Sequence, residues 1–222
     1  MHLRENLTLV EARIASACVR AGRRREEITL VAVTKVFPAA AILEAHEAGL
    51  RDFGENYVQE FEGKFDAVRH LAGARFHLIG HLQSNKSRKA TEMFQAIQTV
   101  DSAKLARRLN EAGTPLEAMI EVKLSEEDAK HGCAPGDLPE VIAAIAACPN
   151  LRLTGLMTMP PWDADAEKSR PYFRRLRELG QRHGLPSLSM GMSHDLETAI
   201  EEGATHIRVG TALFGKRVKQ GT

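Results

Sequence analysis

Ile28-Thr29-Leu30-Val31-Ala32-Val33-Thr34-Lys35 limits this chain more than any other stretch. Seven residues suited to a strand run on without polar alternation and stop at a lysine. Such a strand needs cover on both faces, which parallel βα units provide and half-solvated hairpins do not. Phe37-Pro38 follows, and a helical pattern starts at once, with Pro38 suited to the first helical position and Gly49 to the helix end. A lysine closing this kind of strand stands where βα folds place their chemistry. Partial desolvation there lowers an ammonium pKa and leaves a nucleophilic amine. A lysine that merely surfaces at a strand end is the commoner case, so the rest of the chain has to decide.

The same unit recurs along the sequence. Strand patterns fall at 28–35, 52–56, 75–80, 96–100, 116–122, 151–156, 188–190 and 205–209, with helical patterns between them. This alternation predicts a single α/β domain over 1–222, a (β/α)8 TIM barrel, with a doubly wound open sheet as the alternative. Leu3, Leu7, Val10, Ile14 and Ala17 recur at helical spacing before the first strand. That extra N-terminal helix is expected over one end or one flank of the barrel. Ser84 or Asn85, and Asp101 or Ser102, suit helix N-caps. A long helix is expected over 164–183.

A net charge of +1 leaves no global basic field, so neither nucleic acid nor an acidic membrane surface is an expected partner. Arg23-Arg24-Arg25 is followed by Glu26-Glu27 and reads as a solvated turn, and Lys86, Arg88 and Lys89 read as a solvated helix start. Cys18, Cys133 and Cys148 are isolated, with no CxxC pair, which argues against disulfides and zinc alike. His77 and His81 are four apart, but Gly80 interrupts them and no third ligand is evident, so no metal is expected. No signal peptide or membrane span is read, and a reducing cytoplasm is the expected location.

Reading the strand ends gives Lys35, Asn56, His77 with His81, Met157 with Met159, Ser189 to Ser193, and Arg208 to Thr211. The loops after strands seven and eight bind phosphate in many barrels. Gly210 permits close backbone approach, Ser193 and Thr211 offer hydroxyl donors, and Ala212-Leu213-Phe214 suits a short helix. A reactive lysine facing a phosphate cradle leaves two main chemistries: pyridoxal 5′-phosphate held by the lysine, or a cofactor-free aldolase acting on phosphosugars.

Five segments then carry a resemblance. They are Val31-Ala32-Val33-Thr34-Lys35, the stretch Phe53 to Glu60, the stretch His77 to Lys86, Ser189-Met190-Gly191-Met192-Ser193, and Arg208 to Gly215. Together, in this order, the chain resembles the YggS/PROSC family of pyridoxal phosphate homeostasis proteins. The resemblance implies a barrel of the alanine racemase N-terminal type with the cofactor as a Schiff base on Lys35. It implies phosphate contacts from Ser193, Gly210 and Thr211, Arg208 against the pyridine nitrogen, and Asn56, His77 and Met157 among the cofactor contacts. Lys130 matches a further family lysine. Phe76, Leu124 and His194 depart from the family pattern.

The resemblance implies a reservoir or carrier that supplies apo-enzymes, with no catalytic residue and a monomeric state. A racemase-like enzyme is the alternative. Two-base racemases need a second acid or base on the far face of the substrate, as a tyrosine from another domain provides. This chain has only Tyr57 and Tyr172, and only Gly215 to Thr222 follow the barrel pattern, so no such domain is expected. An arginine at the pyridine nitrogen stays charged and leaves that nitrogen unprotonated, which weakens electron withdrawal.

Overall fold

The computed structural model describes residues 3–125 and 131–215. Helix α1 (Leu3–Arg20) leads into β1 (Thr29–Val33), α2 (Ala39–Glu47), β2 (Asp52–Glu55), α3 (Val58–Val68) and β3 (Arg75–Leu78). Then come α4 (Ser87–Met93), β4 (Ala96–Val100), α5 (Ala103–Asn110), β5 (Leu116–Glu121), α6 (Leu138–Ala146) and β6 (Leu151–Met157). The chain ends its described course with α7 (Arg170–His183), β7 (Ser187–Met192), α8 (Leu196–Glu201), β8 (His206–Val209) and α9 (Thr211–Phe214). Each strand pairs in parallel with the next, and β1 pairs with β8 to close an eight-stranded barrel. Val31 stands opposite Asp52 on one side and Arg208 on the other. Closure makes this a (β/α)8 barrel and removes the open-sheet alternative.

Apolar side chains fill the layer between strands and helices. Phe61 of α3 lies 4.9 Å, centroid to centroid, from both Phe76 of β3 and Phe94, and Phe53 of β2 joins them 5.8 Å from Phe76. Such tilted aromatic contacts add to the area they bury. Phe76 therefore sits in the outer packing shell, where its departure from the family aromatic does not reach the barrel mouth.

Helix α1 packs along the flank, against α8 and α9. Asn6 Nδ2 donates to Leu213 O at 2.8 Å, and Arg13 Nη1 donates to Ser193 O at 2.9 Å while pairing with Glu197. The extra helix thus braces the segments that follow β7 and β8. Strand β7 outruns its expected length because its register slips against β8 between Ser189 and Met192. This irregularity carries Gly191 at φ +91°, where a Cβ would fall 2.4 Å from that of Ala199. Only glycine fits there, and the slip carries the strand on to Met192, directly before Ser193.

Two helix starts differ from the sequence reading. Ser84 to Lys86 form a 3-10 turn and α4 begins at Ser87, whose Oγ donates back to Ser84 O at 2.7 Å. Neither Ser84 nor Asn85 caps the helix, whereas Ser102 does cap α5 by accepting from Leu105 N at 3.3 Å. The long helix expected over 164–183 splits into a 3-10 turn at Ala166–Ser169 and α7. Pro171, in the first turn of α7, has no N–H to give and crowds the carbonyl four residues back, so the α-helix can only begin there.

Candidate cofactor site at the barrel mouth

Thr34 extends the ladder beyond β1, its N–H donating to Gly54 O at 3.0 Å. Phe37 N then donates to Thr34 O at 3.1 Å, which closes a turn with Lys35 and Val36 at its centre. The turn brings Lys35 to the wall of a cavity of about 390 Å³ over the C-terminal strand ends. Asn56, Ser193, Arg208, Gly210 and Thr211 line the same cavity, as do Val33, Ile79 and the departure residue His194. The lysine and the segments after β7 and β8 therefore face one space.

On the neighbouring strand ends, across the β1–β8 seam, Ser193 Oγ accepts from Gly210 N and Ala212 N, both at 3.3 Å. The two N–H groups converge on one acceptor oxygen, an arrangement that suits an anion as well as a hydroxyl. Gly210 has ordinary φ, and a Cβ there would touch Val33 at 3.4 Å, so the glycine keeps this corner thin and needs no left-handed backbone. Buried Asp195 holds the turn from behind, accepting from Met192 N at 2.7 Å and from Ser169 Oγ at 2.9 Å.

Arg208 is 3% exposed. Its Nη1 donates to Ser189 Oγ at 2.7 Å and its Nη2 to Thr158 O at 2.9 Å. Burial lowers its pKa to about 10, against the opposing charges of Glu121 and Asp195, so it stays a cation at neutral pH. Its partners run on through the barrel. Ser189 Oγ donates to Gln98 Oε1 at 2.6 Å, Gln98 Nε2 meets His77 Nδ1 at 3.1 Å, and His77 Nε2 meets Asp52 Oδ1 at 2.8 Å. Because Arg208 only donates, each later proton has one place to go. His77 Nδ1 accepts and its Nε2–H points at Asp52.

This wire explains two departures from the sequence reading. His77 is buried in the barrel interior, with both ring nitrogens engaged, and does not line the cavity. Met157 is fully buried, and Met159, two residues on, takes the place at the cavity wall. Residues two apart share a strand face, so the difference is depth: Met157 is the last residue of β6, and Met159 lies beyond it at the mouth. His81, also at a strand end, stacks on His131 with ring centroids 3.7 Å apart. Among the described residues no cluster of histidine, cysteine and carboxylate side chains suits a metal ion. Cys133 is buried and its thiol is pushed up to about 12, which makes it inert at neutral pH. Lys130 lies outside the described residues.

The sequence reading missed Glu121, the last residue of β5. It is 4% exposed, and burial raises its carboxyl to about 7 against the pull of Arg208. Its Oε2 has no hydrogen-bond partner among the described residues. Glu121 lines a second cavity of about 340 Å³ with Leu124, Ser125, His81 and His131, and Met159, Trp162 and Met192 border both spaces. The strand-end rule that singled out Lys35 points equally at Glu121. Gln98 left a different signal, an amide in the middle of an apolar strand.

A closed parallel barrel with a lysine at the end of β1 and an anion-suited turn after β7 and β8 defines the alanine racemase N-terminal type. The family model described as alanine racemase, N-terminal domain, matches residues 6–218. The pyridoxal phosphate homeostasis protein of Pseudomonas aeruginosa is 51% identical over 219 residues, covering 96% of this chain and 95% of that one. The protein of the same name from Escherichia coli K12 is 42% identical, with coverage of 96% and 95%. PipY of Synechococcus elongatus, solved with PLP bound, is 40% identical and superposes with a TM-score of 0.80, covering 93% of this chain and 100% of that one. An alanine racemase from Clostridium difficile is 15% identical with a TM-score of 0.73 and shares the fold; the match covers 99% of this chain and 58% of the racemase. The chain belongs to the family of pyridoxal phosphate homeostasis proteins.

Proposed function

We propose that this protein holds pyridoxal 5′-phosphate on Lys35 and passes it to apo-enzymes, without turning over amino acids. The observation that carries this reading is the shared cavity, lined by a primary amine and by two convergent N–H donors on the adjoining strand end. The homeostasis proteins and the PLP-bound PipY relative support it. When bound, the cofactor supplies an aldehyde carbon with which a primary amine condenses. Lys35 provides that amine. Ser193, Gly210 and Thr211 would hold the phosphate, and Asn56 would line the same space. Arg208, fixed by Ser189 and Thr158, would stand against the ring nitrogen and cannot accept a proton. Among the described residues no helix is long and apolar enough to cross a membrane. A monomer working in the cytoplasm fits this reading.

Tyr57 is exposed at the start of α3, Tyr172 lies on α7, and neither lines the cavity. A second reading, proton transfer on an amino acid, draws on Glu121, whose carboxyl sits near neutrality beside the same mouth. One experiment separates the two. The loaded protein is mixed with each common amino acid, then with an apo-enzyme. Transfer without racemisation, decarboxylation or transamination supports the carrier. Sustained turnover that disappears in both Lys35→Ala and Glu121→Gln overturns it.

A further inference from the structure

Lys35 is held from both sides by neighbours that it does not itself choose. Before it, Thr34 Oγ1 donates to Glu55 Oε1 at 2.7 Å, and Thr34 O accepts from Lys64 Nζ at 3.0 Å. After it, Val36 N donates to Glu60 Oε1 at 2.6 Å. Lys64 joins the two halves, with Nζ 2.9 Å from Glu55 Oε1 and 2.6 Å from Glu60 Oε1. Glu55 and Lys64 are 0% and 7% exposed, so this cluster is well shielded from water.

Val36 has φ 63°, the only positive value at a non-glycine among the described residues. A branched Cβ resists that backbone conformation. Its side chain is 53% exposed, so apolar burial does not hold it there. Two hydrogen bonds do: the Phe37 N–H to Thr34 O, which closes the turn, and the Val36 N–H to Glu60, which anchors it to α3. Backbone kept in such a region marks a site where the surroundings impose the geometry.

We propose that Glu60 is a positioning residue for Lys35: by gripping the Val36 N–H it holds the 34–37 turn in a strained form that keeps Lys35 at the cavity wall. Lys64 aligns Glu60 for this, and Glu55 ties Lys64 to the preceding residue. The inference rests on Lys35 being the attachment residue, and it makes α3 part of the attachment apparatus.

The experiment compares wild type, Glu60→Ala, Val36→Gly and the double variant, each as folded apo-protein. Two readouts are taken: the rate of pyridoxal 5′-phosphate capture, followed by absorbance, and the rate of Lys35 modification by a small amine reagent without cofactor, followed by peptide mapping. Glu60→Ala should slow capture by about tenfold and change the reactivity of Lys35 toward the reagent, as release of one strained residue implies. Glycine adopts φ 63° freely, so Val36→Gly added to Glu60→Ala should recover most of the loss. A residue acting only on overall stability would show a lower melting temperature and no such rescue. Wild-type capture in Glu60→Ala, or a double variant no better than Glu60→Ala, overturns the proposal. Absence of any cofactor on Lys35 in the wild type would instead remove the carrier reading, while the reagent would still report on Glu60.

Discussion

The two walls of the mouth cavity are built by opposite means. On the β1 side, buried charges of Glu55 and Lys64 and the left-handed Val36 fix the backbone on either side of Lys35. On the β7–β8 side the contacts are longer, with Gly210 N and Ala212 N at 3.3 Å from the Ser193 hydroxyl. That wall is shaped by glycine and a register slip and braced from outside by α1. On the proposed carrier reading, the contrast separates two tasks. Covalent attachment needs one amine in one place, and a rigid frame supplies it. Anion capture needs donors that can trade a weak internal acceptor for a stronger one, and long hydrogen bonds suit that exchange.

The sharpest way to break the comparison is Lys35→Ala. Borohydride fixation followed by peptide mapping should show the pyridoxyl group on Lys35 in the wild type and none in the variant. An adduct that moves to Lys86 would show that the β1 wall is not the attachment wall. On the other wall the expected damage is to folding. Gly191→Ala puts a Cβ 2.4 Å from Ala199 at φ +91°, and should lower stability by about 3 kcal/mol or more in urea titration. Gly210→Ala meets Val33 only at 3.4 Å and should cost about 1 kcal/mol or less. Equal losses would mean that the register slip does not shape this wall.

Glu121 lies in the adjoining second cavity, and pH reads its contribution. Its carboxyl is raised from 4.5 to about 7 in the folded protein, chiefly by burial. The folded state therefore holds that proton more tightly than the unfolded chain. The associated stability is fully present below the ordinary carboxylate range and is lost as pH rises through about 7. Relative to Glu121→Gln, the wild type should lose on the order of 3 kcal/mol between pH 4 and pH 8. A pH-independent difference between the two proteins would mean that the carboxyl titrates normally.

The sequence made the strand-end residues legible because their rule is topological. Once eight βα units are counted, Lys35, Asn56, Arg208, Gly210 and Thr211 can only emerge at one face. Depth along a strand is harder to read. His77 lies one residue before the end of β3, and that small shift puts it inside the barrel with Gln98 and Asp52 instead of at the mouth. Met157 and Met159 exchange places for the same reason. Neither the Glu60–Val36 contact nor the Arg208 wire could be read in advance. Each joins residues whose spacing in the chain carries no period, and only barrel closure brings Gln98 of β4 against Ser189 of β7.

The finest test concerns what the β7–β8 wall recognises. Thr211 is exposed at the start of α9, next to the N–H groups that converge on Ser193. If those donors hold a phosphate, the hydroxyl adds a charge-assisted hydrogen bond to it, a contact in the range of about 1.5–3 kcal/mol. Valine preserves the shape and removes the donor. Thr211→Val should therefore weaken pyridoxal 5′-phosphate binding by about tenfold or more and leave pyridoxal, which has no phosphate, nearly unchanged. The ratio of the two effects matters more than either alone, because it cancels any general loosening of the wall. Equal weakening of both ligands would place the phosphate elsewhere and leave the long Gly210 and Ala212 hydrogen bonds as a structural turn. Selective weakening would tie anion capture to the wall braced by α1.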